Sequence, residues 1–283
     1  MMPQRLNSIA RGMLRRLASF PLEIAGKRMR ADAVERLSQE MIAVAPIPGG
    51  AIRFFAPTPL LQDRAATLLT KEPDMISWLN TLLREAVLWD IGANVGVFGL
   101  YAAVRTGCTV LAFEPSAANF HVLARNIQLN DLGGRMTAYC LALSGRTELG
   151  VLNLASVALG SAMSQFGKPG EMSRYSSPGT TGAVHGMVGF TVDEFIERFH
   201  PPFPTHLKMD VDGLESAILQ GAQATLRDPR LRSAMVELSL TDRAERDRAM
   251  ALMKRSGLEF VSHGEPQGTE AQRAANHLFV RPA

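Results

Sequence analysis

In the stretch Ala86-Val-Leu-Trp-Asp90-Ile-Gly92-Ala-Asn94-Val-Gly96, an apolar run ends on one carboxylate and then passes through two glycines. Ala86 to Asp90 reads as a buried parallel strand that surfaces at its carboxyl end. Gly92 permits a tight turn that a Cβ would obstruct, and Gly96 lets the backbone approach a ligand or lets the next helix pack close to the strand. Phe98, Leu100, Tyr101, Ala102 and Ala103 resume at helical spacing. Strand, glycine turn and helix together make a nucleotide-type site at a strand's carboxyl end.

Two cofactor classes use such a turn. A pyrophosphate favours Gly-x-Gly-x-x-Gly with bare amides at a helix N-terminus. Here the pattern is Asp-x-Gly-x-x-x-Gly, and Asp90 beside a phosphate would be repulsive, whereas it suits the amino group or sulfonium of S-adenosylmethionine. A nicotinamide oxidoreductase is the competing enzyme reading, and a non-catalytic cofactor-binding module the other alternative. The next strand, Thr109 to Phe113, ends in Glu114, which lies 24 positions after Asp90. That is near the spacing of about 20 at which an acidic residue accepts from both ribose hydroxyls. Asn130, Ala142 and Ser144 fall at loop positions where adenine could be held.

Four blocks together are specific: Asp90-Ile-Gly-Ala-Asn94-Val-Gly96; Phe113-Glu-Pro-Ser116 with Asn119; Asn126-Ile127 with Leu129-Asn130; and Lys208-Met-Asp-Val-Asp-Gly-Leu-Glu215. From about Thr70 to Val280 the chain resembles the FkbM family of S-adenosylmethionine-dependent methyltransferases. The resemblance implies a class I, Rossmann-like α/β fold and methyl transfer to a hydroxyl oxygen of a sugar, glycolipid or polyketide. It also implies the ending the pattern suggests, in which Leu258 to Ser262 and Asn276 to Val280 add an antiparallel hairpin to a mostly parallel sheet.

Composition is that of an ordinary globular chain: 283 residues, 46% hydrophobic, 20% charged, net charge +3. No dense basic stripe interleaved with aromatics points to nucleic acid. Cys108 and Cys140 lack metal-site spacing and read as buried reduced thiols near strands, which suggests a cytoplasmic protein. Residues 1–85 divide into a basic leader and a helical cap, and 86–283 form the methyltransferase domain. Within the leader, Arg5, Arg11, Arg15, Arg16, Lys27, Arg28 and Arg30 alternate with Leu6, Ile9, Met13, Leu14 and Leu17. Such a helix either lies on an anionic membrane or is simply a packed or frayed leader, and the second reading is favoured.

Residues 145–189 show little periodicity and are expected to be a lid-like insertion, a β-hairpin or a disordered loop, with Met163 and His185 on its surface. Thr191-Val-Asp-Glu194 fits a capping box. In the strand beginning at His206, alternation puts His206, Lys208 and Asp210 on one side and Leu207 and Met209 on the other. Asp210, at the carboxyl end, is the expected general base, with Lys208 orienting it or the acceptor and His206 as the substitute. Asp212 and Glu215 read as an N-cap and its capping-box partner. Asp210, Asp212 and Glu237 offer three hard oxygen ligands of the kind magnesium prefers, but carboxylates at adjacent strand tips also arise without a metal, and none is expected.

Overall fold

The strand ending at Asp90 lies inside a seven-stranded sheet. The computed structural model describes residues 27–168, 184–270 and 273–282. In chain order the elements are α1 (Lys27–Glu40), β1 (Ile42–Ile47), β2 (Gly50–Phe55), α2 (Pro59–Ala66), α3 (Pro73–Leu79), β3 (Val87–Ile91), α4 (Val97–Thr106) and β4 (Thr109–Phe113). They continue with α5 (Ala117–Leu129), β5 (Met136–Tyr139), β6 (Ala142–Leu143), β7 (Glu148–Asn153), β8 (Gln165–Gly167), β9 (Val184–Phe190) and α6 (Val192–Phe199). The last are β10 (His206–Met209), α7 (Glu215–Gln220), α8 (Gln223–Arg227), β11 (Ser233–Ser239), α9 (Arg243–Arg255), β12 (Glu259–His263) and β13 (Ala274–Val280).

The large sheet has the order β5-β4-β3-β10-β11-β13-β12. Every neighbouring pair from β5 to β11 is parallel, and β13 runs antiparallel to β11 and to β12. This is the expected mostly parallel, Rossmann-like sheet with an antiparallel C-terminal hairpin. Strand alternation builds a core on each face. Leu88, Val110, Ala112 and Met136 pack on one side with Leu100, Tyr101 and Leu123 of α4 and α5. Trp89, Ile91, Leu111, Phe113, Leu207, Met209 and Val236 pack on the other with Phe195, Ile218, Leu226 and Leu252. The order reverses between β3 and β10, whose carboxyl ends therefore open the crevice where such sheets bind ligands.

Domain limits differ from the expectation. Residues up to Ile42 form one unit, and Ala43 to Ala283 form a second. The segment 43–85 thus belongs with the sheet, because Ile52, Phe54, Met75, Trp78 and Leu79 are buried in the same core as β3 and α4. Most of the basic leader, residues 1–26, lies outside the described residues. No helix among the described residues is long and apolar enough to cross a membrane.

The described part of the irregular stretch carries strands. Instead of one strand from Met136 to Leu143, the chain makes β5 and then β6, and β6 starts a second sheet of order β6-β9-β7-β8. Phe166 supplies its core: a Cβ on Gly150 or Gly189 would come within 2.9 or 2.5 Å of the Phe166 ring, so those glycines leave a flat bed for it. Residues 169–183 of the insertion lie outside the described residues. From β9 the chain enters α6, where the Thr191 side chain accepts from the Glu194 amide at 3.1 Å, the N-cap half of the expected capping box. Cys108 is buried as expected, but Cys140 is exposed in the break between β5 and β6.

Candidate cofactor site and active site

Glycine chemistry at the β3 turn is dictated by backbone crowding. At φ +75°, a Cβ on Gly92 would lie 1.8 Å from the carbonyl oxygen of Asp210, so only hydrogen fits. The amides of Gly92 and Ala93 both donate to the Phe113 carbonyl at 3.0 Å, which ties the turn to the tip of β4. Gly96, at φ +86°, begins α4, and a Cβ there would meet Leu123 Cδ1 at 2.5 Å. Its role is close packing of α4 on α5 rather than approach to a ligand.

Between these glycines, Asn94 adopts a left-handed φ of +50°, which asparagine tolerates better than most residues. Its amide donates to Glu114 Oε2 at 2.8 Å, and its Nδ2 donates to the Ser161 carbonyl at 3.0 Å. Asn94 Oδ1 is buried with no hydrogen-bond partner. Glu114 also accepts from the Ser116 amide at 2.9 Å. Burial pushes its carboxyl up to about 7 against the pull of those donors. Asn94, Glu114 and Asn119 line one cavity together with Gly92, Ala142, Asp210, Asp212 and Glu237. Asn119 enters the sequence reading only within the block that carries the family resemblance, with no site role given to it there.

Asp90 is placed otherwise than the sequence suggests. Its side chain is 1% exposed and faces the interior, with Oδ2 accepting from the Gly99 amide at 3.1 Å. Oδ1 lies 3.1 Å from Lys208 Nζ, an ion pair without hydrogen-bond alignment. Asp90 and Lys208 are register partners on adjacent parallel strands, so the backbone itself brings the charges together. Neither lines the cavity, and a carboxylate already matched by an ammonium is not the one that meets a cationic ligand. Lys208 Nζ also donates to the Gly92 carbonyl at 2.9 Å and stands 3.8 Å from Asp210 Oδ2. Burial alone would lower its pKa, but Asp90 and Asp210 outweigh it and the net direction is upward.

Negative charge does reach the cavity, from the tips of β10 and β11. Asp210, Asp212 and Glu237 each present a carboxylate oxygen within 4.8 Å of the others. All three are partly exposed, the Asp210 side chain to 31%. Asp210 drives the Glu237 carboxyl upward, with burial adding to it. Burial first, then Asp210, does the same to Asp212. The three carboxyl groups therefore carry fewer than three negative charges at neutral pH. Asp212 is not the helix cap expected of it: Leu214 occupies that position, and Asp212, at φ +59°, accepts from the Met163 amide at 2.6 Å. Glu215 does reach back as expected, accepting from the amides of Val211 and Gly213 at 3.0 Å.

Two other expectations are corrected. His206 shares a face with Asp210, but four residues of strand separate them by roughly 13 Å. It lines a different cavity, at the opposite end of the strands, with Nδ1 2.7 Å from Ser233 Oγ, and burial lowers its pKa to about 4. It is no substitute base. Asn130 ends α5 and holds β2, its side chain accepting from Arg53 N at 2.9 Å and donating to Arg53 O at 2.7 Å; it does not reach the cavity. Ala142 does line it.

A family model described as the methyltransferase FkbM domain matches residues 90–260. The 31-O-demethyl-FK506 methyltransferase FkbM of Streptomyces tacrolimicus is 28% identical over 213 residues, which cover 67% of this chain and 79% of that protein. Among solved structures, a precorrin-6y C5,15-methyltransferase from Geobacter metallireducens GS-15 aligns with a TM-score of 0.45 at 11% identity, covering 77% of this chain and 92% of the other. The magnesium protoporphyrin IX methyltransferase of Synechocystis PCC 6803 with bound S-adenosylmethionine gives 0.43 at 11%, covering 80% and 86%. The family match spans more than half of the chain and includes both the β3 turn and the β10 tip: this protein belongs to the FkbM family of methyltransferases, and its cofactor is S-adenosylmethionine.

Proposed function

We propose that this enzyme methylates a hydroxyl oxygen of a sugar, glycolipid or polyketide-type acceptor in the cytoplasm, with Asp210 as the general base. The observation that carries the reading is the position of Asp210: it is half-accessible, lies at the carboxyl end of β10, and shares a cavity with Glu114 and Asn94. The named activity of the Streptomyces relative, on a 31-O-demethyl acceptor, supports an oxygen target.

The site fits the cofactor. Glu114 retains lone pairs for the two ribose hydroxyls, and Asn94 Oδ1 is a buried acceptor still without a donor. The acidic cluster, not Asp90, supplies negative potential for a cationic ligand. Bound S-adenosylmethionine contributes a methyl carbon activated by its sulfonium. The protein's part is to position the acceptor and take its proton. Asp210 Oδ accepts that proton from the hydroxyl as the new bond forms. Lys208, 3.8 Å behind, orients Asp210 and ties it to the Gly92 turn. Asp212 and Glu237, pushed toward their protonated forms, can donate to acceptor oxygens.

The test is Asp210→Asn, assayed against free sugars, glycolipid headgroups and 31-O-demethyl-FK506. Binding of S-adenosylhomocysteine should persist by calorimetry while turnover falls by about 10²- to 10⁴-fold. Full turnover in the variant refutes the assignment. Parent enzyme dialysed against EDTA should keep its rate; a loss restored by magnesium would reassign the three carboxylates to metal binding.

A further inference from the structure

Between β7 and β8, the segment from Ser156 to Ser164 belongs to no sheet, yet it puts Ser161 and Ser164 on the cavity wall. Side chains fasten it from three directions. From the cofactor side, Asn119 accepts from the Gly160 amide at 2.8 Å and donates to the Ser161 carbonyl at 2.9 Å, and Asn94 donates to that same carbonyl. From the acceptor side, Asp212 holds the Met163 amide. From α2, Arg64 spreads Nε and an Nη over the Gly160 carbonyl at 3.0 and 2.7 Å. Leu159 packs against the apolar cluster of Phe55, Leu61 and Val122.

We propose that residues 156–164 are a strap that closes over the bound cofactor, and that Arg64 is the positioning residue that holds it shut. This rests on the placement of the cofactor at Asn94 and Glu114. A segment held by side-chain contacts opens without breaking a strand ladder, so its closure is a local equilibrium. Its fasteners are the same groups that meet the ligands: Asn94 and Asn119 bond Glu114 as well as the strap, and Asp212 belongs to the acidic cluster. Ordering those side chains around the cofactor therefore favours closure, and closure pre-orders them for the cofactor. Arg64 reaches the strap from α2 and lines the cavity as well. Its fork satisfies one carbonyl twice while its charge faces Asp210 and Asp212.

Arg64→Gln removes the charged fork, and Gly160→Ala pushes the strap away from the same helix, since at φ +80° its Cβ would lie 2.7 Å from Leu61 Cδ2. Calorimetry with S-adenosylhomocysteine should show affinity weakened roughly tenfold to a hundredfold in Arg64→Gln, the loss expected for charge-assisted bonds. Arg64→Lys should recover only part of it, because an ammonium cannot form the fork. Hydrogen exchange should show amides 156–164 gaining protection when the parent binds the product, and losing it in both strap variants. The KM for the cofactor should rise while kcat at saturation stays within about threefold, a split that general destabilisation does not give. If Arg64→Gln does not fold, Gly160→Ala carries the same readings. A folded variant that binds as tightly as the parent, or a strap whose exchange ignores the ligand, overturns the proposal. A parent that binds no S-adenosylhomocysteine overturns the cofactor placement itself, and the strap with it.

Discussion

Replacing Lys208 by methionine isolates the interaction that joins the two chemical halves of the site. Lys208 and Asp90 side chains are 3% and 1% exposed, so the variant leaves a carboxylate in the core with the Gly99 amide as its remaining partner. Removing one member of a buried pair costs about 3–5 kcal/mol, because the survivor keeps its desolvation penalty and loses its compensation. The carbonyl of Gly92 loses its donor in the same step. In a domain of this size each kcal/mol moves Tm by about 2–4 °C, so the drop should be roughly 6–20 °C. Thermal melts give the Tm change, and urea unfolding followed by circular dichroism the free energies, for Lys208→Met, Asp90→Asn and the double variant. Asparagine still offers Gly99 an acceptor but carries no charge, so the double variant should be at least about 2 kcal/mol more stable than the sum of the single losses predicts. A single loss below about 1 kcal/mol, or simple additivity, would refute the buried-pair reasoning.

Two further outcomes follow from geometry already described. Gly92→Ala should destabilise the fold by several kcal/mol, on the order of an overpacked core substitution or more, because its Cβ meets backbone rather than a movable side chain; equilibrium unfolding checks it. Stability should fall as pH rises from about 5 to about 8: burial lifts Glu114 to about 7 and Glu215 to about 8 from an unfolded value of 4.5, so the folded state holds protons the unfolded state has released. Thermal melts should give a lower Tm at pH 8.5 than at pH 6, and Glu215→Gln, which still offers an amide acceptor but cannot ionise, should flatten the difference. A Tm that rises over this range contradicts the sign.

The central strand, its turn, Glu114 and Asp210 were legible because each depends on local order: an apolar run, a glycine where φ is positive, an acid at a strand tip. The antiparallel ending was legible too, since two strands joined by a short polar loop lie in opposite directions. What local order does not encode is height and partner. Alternation puts His206 on the face of Asp210 but says nothing of the strand length between them, and it cannot reveal that Asp90 is answered by a lysine more than a hundred residues later in the chain. Asn130 looked like a loop ligand because a helix end and a binding loop have the same composition. The second sheet was hidden by glycines that serve the ring of Phe166 and by strands only two to seven residues long, which leave almost no period to detect.

The absence of free space between Gly92 and the Asp210 carbonyl has a mechanical consequence. Two backbones in hard contact cannot slide past each other, and the Lys208 ammonium bolts them from beneath. Breathing of the sheet edges or of the surrounding loops therefore leaves the spacing between the Gly92 turn and the tip of β10 fixed, and the floor of the cavity is gauged there by main-chain atoms.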